Sequence, residues 1–445
     1  MRALTPFAVR LVLFTEAVLT AAAVHYLLTA SQPHSVRLSL FALTMGLAYV
    51  GLGLVLQTPS RRWADFNAEL MQLVEILAAV WLFGLLETSY FHLVLNLENF
   101  GQAMLVSLIL NSCLRLAIRF SLRMLRRMGR NARYVLVVAQ VEGEEQVREL
   151  FARHPELGVR LAGVVRPHDI PSLQAALRER VVDVLLIAAS SLDSDVQAVA
   201  DLGRVYGKDV KVLFQPHDVV AAAIDAQDFY GASLVSMGQR PPAVLSMVAK
   251  RGIDLLLGTI LLLISLPVLL VAALAIKRED PDAPVLYRQV RIGLNGRRFQ
   301  LYKLRTMVPE AERLQGQIMS LNEMVGGPVF KIRNDPRVTR PGRWIRRLSV
   351  DELPQLWNVL RGEMSLVGPR PPLPHEVERY PDHFRRRLSV RPGITGAWQV
   401  AGRNEVQFDA WMEMDLEYID HWSLGRDLRI LAKTIPTVLS GRGAS

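Results

Sequence analysis

Cysteine is nearly absent: Cys113 is the single one among 445 residues, so neither a disulfide framework nor a cysteine-based metal site is available. It sits in an apolar segment and reads as a small, inert hydrophobe. The nine histidines are scattered, with no metal-like spacing. Also missing is a glycine-rich phosphate turn after the first strand of the middle region, which a dinucleotide site would need. What is present is apolar and basic. Hydrophobic residues make up 51% of the chain and are unevenly spread, and the mean hydropathy is +0.21. That pattern predicts membrane segments joined to soluble domains, and the length allows two or three domains. A formal net charge of +10 suits nucleic acid, anionic lipid or phosphorylated substrates. With membrane segments in the same chain, the last two stand ahead, and no nucleic-acid partner is expected.

Four apolar runs fill the first quarter, at about 7–30, 36–56, 70–95 and 100–120, each near the ~20 residues that cross a bilayer as a helix. The first is not expected to be a cleaved leader, because no short apolar core ends at a small-residue site. Arg2 and Arg10 lie at the start of the first run, Arg61 and Arg62 follow the second, and Arg119, Arg123, Arg126, Arg127 and Arg130 lie at or beyond the end of the fourth. The loops "SQPHS" and "ETSYFHLVLNLENFG" carry no Lys or Arg. The charge asymmetry predicts a four-helix transmembrane region over 1–130 with both ends cytoplasmic. Glu16 and Glu75, within or near these spans, receive no role.

Residues 131–240 alternate short apolar strands ("RYVLVVAQ", "VRLAGVV", "VVDVLLIAA", "DVKVLFQ") with helix-like stretches. Such alternation predicts a parallel, Rossmann-like α/β domain. Its first strand continues as "VVAQVEGEEQV", whose acids would repel a pyrophosphate, so a structural or regulatory sheet is expected rather than a nicotinamide site.

After "GQRPPAV" comes an apolar stretch at about 253–276, flanked by Lys250 and Arg251 on one side and Lys277 and Arg278 on the other. Pro267 lies within it and removes a backbone donor; Ser265 is placed to satisfy a freed carbonyl. Two paths are open: a fifth span, or a helix that enters, bends at Ser265-Leu266-Pro267 and leaves on the same face. Cations at both ends and the lack of a later span favour the second.

The dense motifs follow. In "RRLSVDELPQLWNVLRGEMSLVGPRPP" two carboxylates, Asp351 and Glu352, stand side by side. On spacing alone they read as a helix start, with Ser349 as cap and Glu352 closing a capping box. Their surroundings point to phosphate chemistry instead. Arg346 precedes them, Arg370 follows within a rigid Gly-Pro-Arg-Pro-Pro, and Arg391 and Arg403 lie in "RPGITG" and "AGRNE". Arginine suits bidentate phosphate recognition. One carboxylate would hold a divalent cation and the other would attack phosphorus; electrostatics alone does not assign which. Upstream, "YRQVRIGLNGRRFQLYKLRTM" reads as a basic hairpin carrying Lys303 and Arg305. It suits anionic headgroups, a nucleotide diphosphate, or both. Asp335 reads as a turn residue. In the amphipathic "FDAWMEMDLEYIDHWSLGRD", Asp415 is an additional metal-side candidate.

Taken together, "KRGID", the proline-broken apolar segment, "RQVRIGLNGRRFQLYKLRTM", "NDPRVT", "SVDELPQLWNVLRGEMSLVGPRPP" and "RPGITGAWQVAGRN" resemble the bacterial sugar transferase family over about 250–445. These are monotopic phosphoglycosyl transferases that start exopolysaccharide, O-antigen or capsule assembly. The leading spans and Rossmann-like domain are similar to its long, exopolysaccharide-initiating subgroup. The resemblance implies a re-entrant helix anchoring a small α/β catalytic domain, together about 248–445, on the cytoplasmic face of the bacterial inner membrane. It implies a UDP-sugar donor, undecaprenyl phosphate as acceptor, and Mg²⁺ (or Mn²⁺). Asp351 would attack the sugar-bearing phosphate and release UMP, Glu352 would serve the metal, and Arg346 and Arg370 would hold phosphate. Downstream glycosyltransferases would extend the lipid-linked product, and the additional domains suit a homodimer. Two departures from the family pattern stand out: a leucine separates Ser265 from Pro267, and Leu304 replaces the usual phenylalanine before "RTM". A membrane scaffold without catalysis is the competing reading, since nothing in 1–240 requires chemistry.

Overall fold

The structure, a computed structural model, describes residues 4–29, 36–56, 66–91, 97–127, 132–154, 158–189, 193–214, 227–229, 232–237, 244–314, 332, 335–402 and 407–440. The chain divides into two compact units. One comprises Met1–Arg133, Val147–Arg160 and Gln215–Leu234; the other comprises Tyr134–Gln146, Leu161–Phe214 and Val235–Ser445.

In the first unit, helices α1 (Leu4–Thr29), α2 (Val36–Leu56), α3 (Phe66–Phe91) and α4 (Leu97–Arg127) take the places of the four apolar runs. They pack α1 on α2 and α4, and α3 on α2 and α4. Val24, Phe41, Met45, Ile76 and Trp81 lie in the shared core. The polarity is inverted relative to a water-soluble helical protein. Phe14, Leu47, Leu86 and Phe120 point outward, whereas Glu16, Thr20, Tyr49 and Asn111 are fully buried. Inside, Arg115 Nε donates to Glu16 Oε1 at 2.5 Å, Tyr49 Oη to Glu16 Oε2 at 2.9 Å, and Asn111 Nδ2 to Thr20 Oγ1 at 3.0 Å. Apolar surface outside and hydrogen-bonded polar groups such as Glu16, Tyr49 and Arg115 inside suit a hydrocarbon surround. Among the described residues, two helical stretches, Glu98–Ile118 and Ala249–Glu279, are long and apolar enough to cross a membrane; Phe14–Leu28 and Val36–Gly51 are shorter apolar stretches.

The middle of the chain forms β1 (Arg133–Val138), α5 (Val141–Arg153), β2 (Val159–Val165), α6 (Ile170–Glu179), β3 (Val184–Ala188), α7 (Ser194–Val205), β4 (Asp209–Phe214), β5 (Gln227–Phe229) and β6 (Ala232–Ser236). Strands run in the order β2-β1-β3-β4-β6, with β1, β3 and β4 parallel and β5 antiparallel to β6. Asp169 and Asp193 cap α6 and α7, accepting from the Ser172 and Val196 amides. The first turn of α5 carries Glu142 and Glu144 where a dinucleotide would place its pyrophosphate.

The remaining elements are α8 (Val244–Glu279), β7 (Leu286–Ile292), β8 (Arg298–Leu304), α9 (Ala311–Leu314), α10 (Arg340–Arg347), α11 (Gln355–Arg361), β9 (Ser365–Val367), α12 (Pro374–Glu378), β10 (Gly393–Thr395), α13 (Ala397–Ala401), α14 (Phe408–Asp420) and α15 (Leu424–Ser440). An antiparallel hairpin joins β7 to β8, and β9 pairs with β10 in parallel. The chain stays helical through Pro267 in α8. Ser265 Oγ donates to the Leu262 carbonyl at 2.8 Å, not to the Leu263 carbonyl that the proline deprives of its donor.

Helix α8 is tied to the domain at both ends. At its start Lys250 Nζ meets Asp427 Oδ2 at 2.5 Å, Arg251 donates to the Val359 and Leu360 carbonyls, and Asp254 accepts from Ser365 Oγ and the Leu366 amide. Near its end Ala272 and Ile276 share a core with Leu304, Ile345 and Val350. The outer side, including Leu256, Leu263, Ile264 and Leu270, stays exposed and apolar.

Candidate active site

The acid pair sits where α10 turns into α11. Thr339 caps α10, accepting from the Gly342 amide at 3.1 Å. Gly342 packs so closely on β8's exit that an added Cβ would lie 2.2 Å from the Thr306 carbonyl oxygen. Beyond α10, Ser349 takes a left-handed conformation (φ 55°), and one 3₁₀ turn, Val350–Glu352, leads into α11. The reversal at Ser349 sends Val350 and Asp351 inward, with Asp351 only 9% exposed. The capping-box reading is therefore corrected. Ser349's side chain makes no cap hydrogen bond, and Glu352 accepts from Lys303 Nζ at 3.0 Å. A left-handed residue cannot serve as an ordinary N-cap, which requires an extended backbone.

Lys303, on β8, stands 3.9 Å from Asp351 Oδ2 as well. Burial pushes the Asp351 carboxyl up to about 6, with Lys303 opposing, Glu352's negative charge adding to the rise, and Arg346 opposing. The fold thus holds a carboxylate that is hard to ionise beside one that is not deeply buried. Arg346 is half-buried and donates from Nε to Thr306 Oγ1 at 3.0 Å. Burial lowers its guanidinium below the ordinary value, while the charges of Asp351 and Asp335 oppose that shift. Asp335 itself is ion-paired with Arg337 at 2.6 Å and accepts the Arg337 amide, as a turn residue does.

Arg370 sits in a loop held from several directions. The Gly368 amide donates to Thr395 O, the Gly393 amide to Pro369 O, and the Ile292 amide to Pro372 O. The loop approaches β10 so closely that a Cβ on Gly393 would lie 2.1 Å from the Gly368 nitrogen. Arg387 Nη2 donates to Arg370 O at 3.2 Å. The Arg370 guanidinium lies 5.8 Å from the Trp411 ring and has no ion pair among the described residues.

Other expected site residues are placed elsewhere. Arg391 donates to Gly362 O at 3.0 Å; together with Arg251 it caps the C-terminal carbonyls of α11. That end lies roughly 15 Å along the chain of helical turns from Glu352, so Arg391 supports the fold rather than the phosphate site. Arg305 donates to Met307 O at 3.2 Å. Asp415 forms a buried ion pair with Arg387 at 2.6 Å, each side chain 1% exposed, so the expectation of a metal-side role is corrected: that carboxylate already neutralises a core arginine. Arg403 lies outside the described residues.

One residue escaped the sequence reading. Arg291, 5% exposed, bonds Gln289 and the Pro371 carbonyl. Strand alternation was the available signal, since Tyr287, Gln289 and Arg291 share the inward face of β7.

No group of three or more His, Cys, Asp or Glu side chains suited to a metal occurs among the described residues. Adjacent Asp351 and Glu352 nonetheless suit Mg²⁺, which takes hard oxygen ligands and commonly needs only one or two carboxylates beside substrate phosphates. The elevated Asp351 pKa, raised in part by Glu352, marks a place where a further cation would be favoured.

The bacterial sugar transferase family model matches residues 245–441. A galactosyl transferase, CpsE, of Streptococcus agalactiae is 41% identical over 219 residues, 49% of this chain and 48% of that protein. An undecaprenyl-phosphate glucose phosphotransferase of Komagataeibacter xylinus is 42% identical over 223 residues, 48% of this chain and 40% of that protein. The exopolysaccharide production protein ExoY of Rhizobium meliloti is 41% identical over 200 residues, 44% of this chain and 88% of that protein. The chain spans about half the length, or less, of the first two relatives and nearly all of the third. With the family model matched over 245–441 and 88% of ExoY covered at 41% identity, the chain belongs to the bacterial sugar transferase family.

Proposed function

We propose that this protein transfers a sugar 1-phosphate from a UDP-sugar to undecaprenyl phosphate, with Asp351 as nucleophile. The observation that carries the reading is the buried Asp351 carboxyl, raised to about 6 and beside Lys303 and Glu352. In the first half-reaction an Asp351 oxygen attacks the sugar-bearing phosphorus, the bond to the bridging oxygen breaks, and UMP departs. In the second, an oxygen of the lipid phosphate attacks the same phosphorus and frees the Asp351 carboxylate. Lys303 steadies the attacking carboxylate, and Arg346 and Arg370 offset phosphate charge in a partly water-excluded site. Glu352 and Asp351 would hold Mg²⁺, which when bound would offset charge on the phosphate oxygens.

We place the catalytic domain on the cytoplasmic face of the bacterial inner membrane, anchored by a re-entrant α8. Supporting this, Arg251 and Ile276 of α8 both contact the same domain. A straight helix between them would run roughly 38 Å, longer than a bilayer's hydrocarbon core of ~30 Å. Single cysteines at Ala249 and Glu279, in a Cys113→Ser background, should be labelled from the same side of sealed vesicles; labelling from opposite sides refutes this path. The helices α1–α4 are proposed as four spans, and the α/β sheet and these helices as the contacts of a homodimer, which crosslinking in native membranes tests. The lipid-linked sugar would then serve downstream glycosyltransferases.

The decisive assay is UMP release from a panel of UDP-sugars with undecaprenyl phosphate and Mg²⁺, comparing wild type with Asp351→Asn. Release requiring both Asp351 and Mg²⁺ supports the transferase reading. A folded wild type inactive across the panel favours a scaffold.

A further inference from the structure

A buried arginine without a carboxylate is an unfinished electrostatic arrangement. Arg291 is 5% exposed, and among the described residues it has no ion pair. Three of its donors have neutral acceptors: Nε and Nη2 donate to Gln289 Oε1 at 3.1 and 2.6 Å, and Nη1 to Pro371 O at 3.0 Å. Five N–H groups in a fixed fork leave two more to offer. Burial brings the guanidinium down to about 10, and the next influence in the same direction is the positive charge of Arg370. Glu376, Tyr287 and Glu352 act the other way, so Arg291 lies within electrostatic range of Glu352.

Arg291 thus lies bonded to the loop that carries Arg370 and feels its charge, and among the described residues no carboxylate bonds either guanidinium. Elsewhere in the same domain a buried arginine has its acid: Arg387 has Asp415 and Arg337 has Asp335. Burying a guanidinium without a bonded carboxylate beside a like charge is costly, and an anionic ligand that bonds both would reverse that cost. Pro371 follows Arg370 directly, so the bond to its carbonyl also fixes the arginine-bearing loop against β7.

We propose that Arg291 and Arg370 form a two-arginine cradle for substrate phosphate, with Arg291 the deep, preorganised member. This rests on the transferase reading above. The shared chemistry is phosphate oxygen, presented either by the nucleotide diphosphate or by the lipid phosphate.

The test uses the full-length protein in detergent. UDP affinity is measured for wild type, Arg291→Gln and Arg291→Lys, together with the KM for undecaprenyl phosphate and the thermal midpoint without ligand. The glutamine variant should lose roughly 10- to 100-fold in UDP affinity or in lipid-phosphate KM, as removal of charge-assisted bonds does. Which of the two constants moves identifies the phosphate held. Its ligand-free thermal midpoint should hold or rise, because a buried unpaired charge is gone, and lysine should restore part of the loss. A purely structural Arg291 would give a lower midpoint with both constants unchanged, and that overturns the proposal. If wild type releases UMP normally while the variant matches it in every constant, the cradle fails and the transferase reading stands. If wild type neither binds UDP nor releases UMP, the transferase reading fails and the cradle with it.

Discussion

Replacing Asp351 by asparagine removes a carboxyl that the folded protein prefers to keep protonated. An ordinary aspartate titrates at 3.8, and in this fold Asp351 is pushed up to about 6, by burial first and by Glu352's charge in addition. At 1.36 kcal/mol per pH unit the gap amounts to roughly 3 kcal/mol. The folded state binds this proton more tightly than the unfolded state. Below the unfolded value both states are protonated and nothing is lost. Through the interval up to about 6 the native state loses stability, and above it the whole cost is present. Asp351→Asn should therefore be more stable than wild type at pH 7.5, by up to ~3 kcal/mol or several degrees in thermal midpoint. The difference should fade as pH falls below 4, while UMP release drops roughly a thousandfold or more at every pH. Thermal unfolding in detergent at pH 7.5 and 4, beside the UMP assay, measures both. An asparagine variant less stable than wild type at pH 7.5, or a difference that ignores pH, would mean that burial does not raise the Asp351 carboxyl. A fully active variant would return the acid pair to a structural turn.

With Mg²⁺ kept low, kcat/KM for the donor should rise with pH and level off above about 6 as Asp351 ionises in the free enzyme; a flat profile from 5 to 7 contradicts this. Lys303→Met removes the strongest opposing influence on Asp351, so the inflection should move upward and activity at pH 7 should fall about tenfold or more. Asp183 bonds Arg297, Asn295 and the Tyr134 amide. Burial would raise its carboxyl, but the bonds and charge of Arg297 outweigh that and hold it down at about 2. Asp183→Asn should cost roughly 2 kcal/mol at pH 7, a loss that closes as pH falls from 4 toward 2, read by denaturation across pH. Gly368→Ala should lower the thermal midpoint and impair turnover together, because its Cβ would meet Arg391 O at 2.5 Å; unchanged midpoint and rate would count against the tight β9–β10 approach.

Much of the architecture was readable from the chain. Long apolar runs have only one low-energy form, since a helix satisfies its own backbone, and α1–α4 and α8 lie where composition put them. The α/β alternation gave β1–β4 in order, because strands and amphipathic helices differ in hydrophobic period. The chemistry-bearing residue types were legible too: an acid pair among arginines has few uses besides phosphate and metal.

Which arginines face that pair was not legible. Sequence proximity to a glycine or proline motif suggested Arg391, yet it caps α11, while Arg291, unremarked in a basic hairpin, lies under Arg370's loop. Asp415 resembled a metal-side acid until packing joined it to Arg387. Local pattern determines backbone form through nearest-neighbour sterics and periodicity, so elements and caps can be read directly. The partner of a long charged side chain is set by which elements meet in space, and its charge state by how much water they exclude. Those depend on contacts between residues such as Lys303 and Glu352, 49 positions apart. Elements and chemical repertoire thus follow from local pattern, whereas the left-handed turn at Ser349, the inward course of Asp351 and a proton held to about 6 follow from how the elements pack.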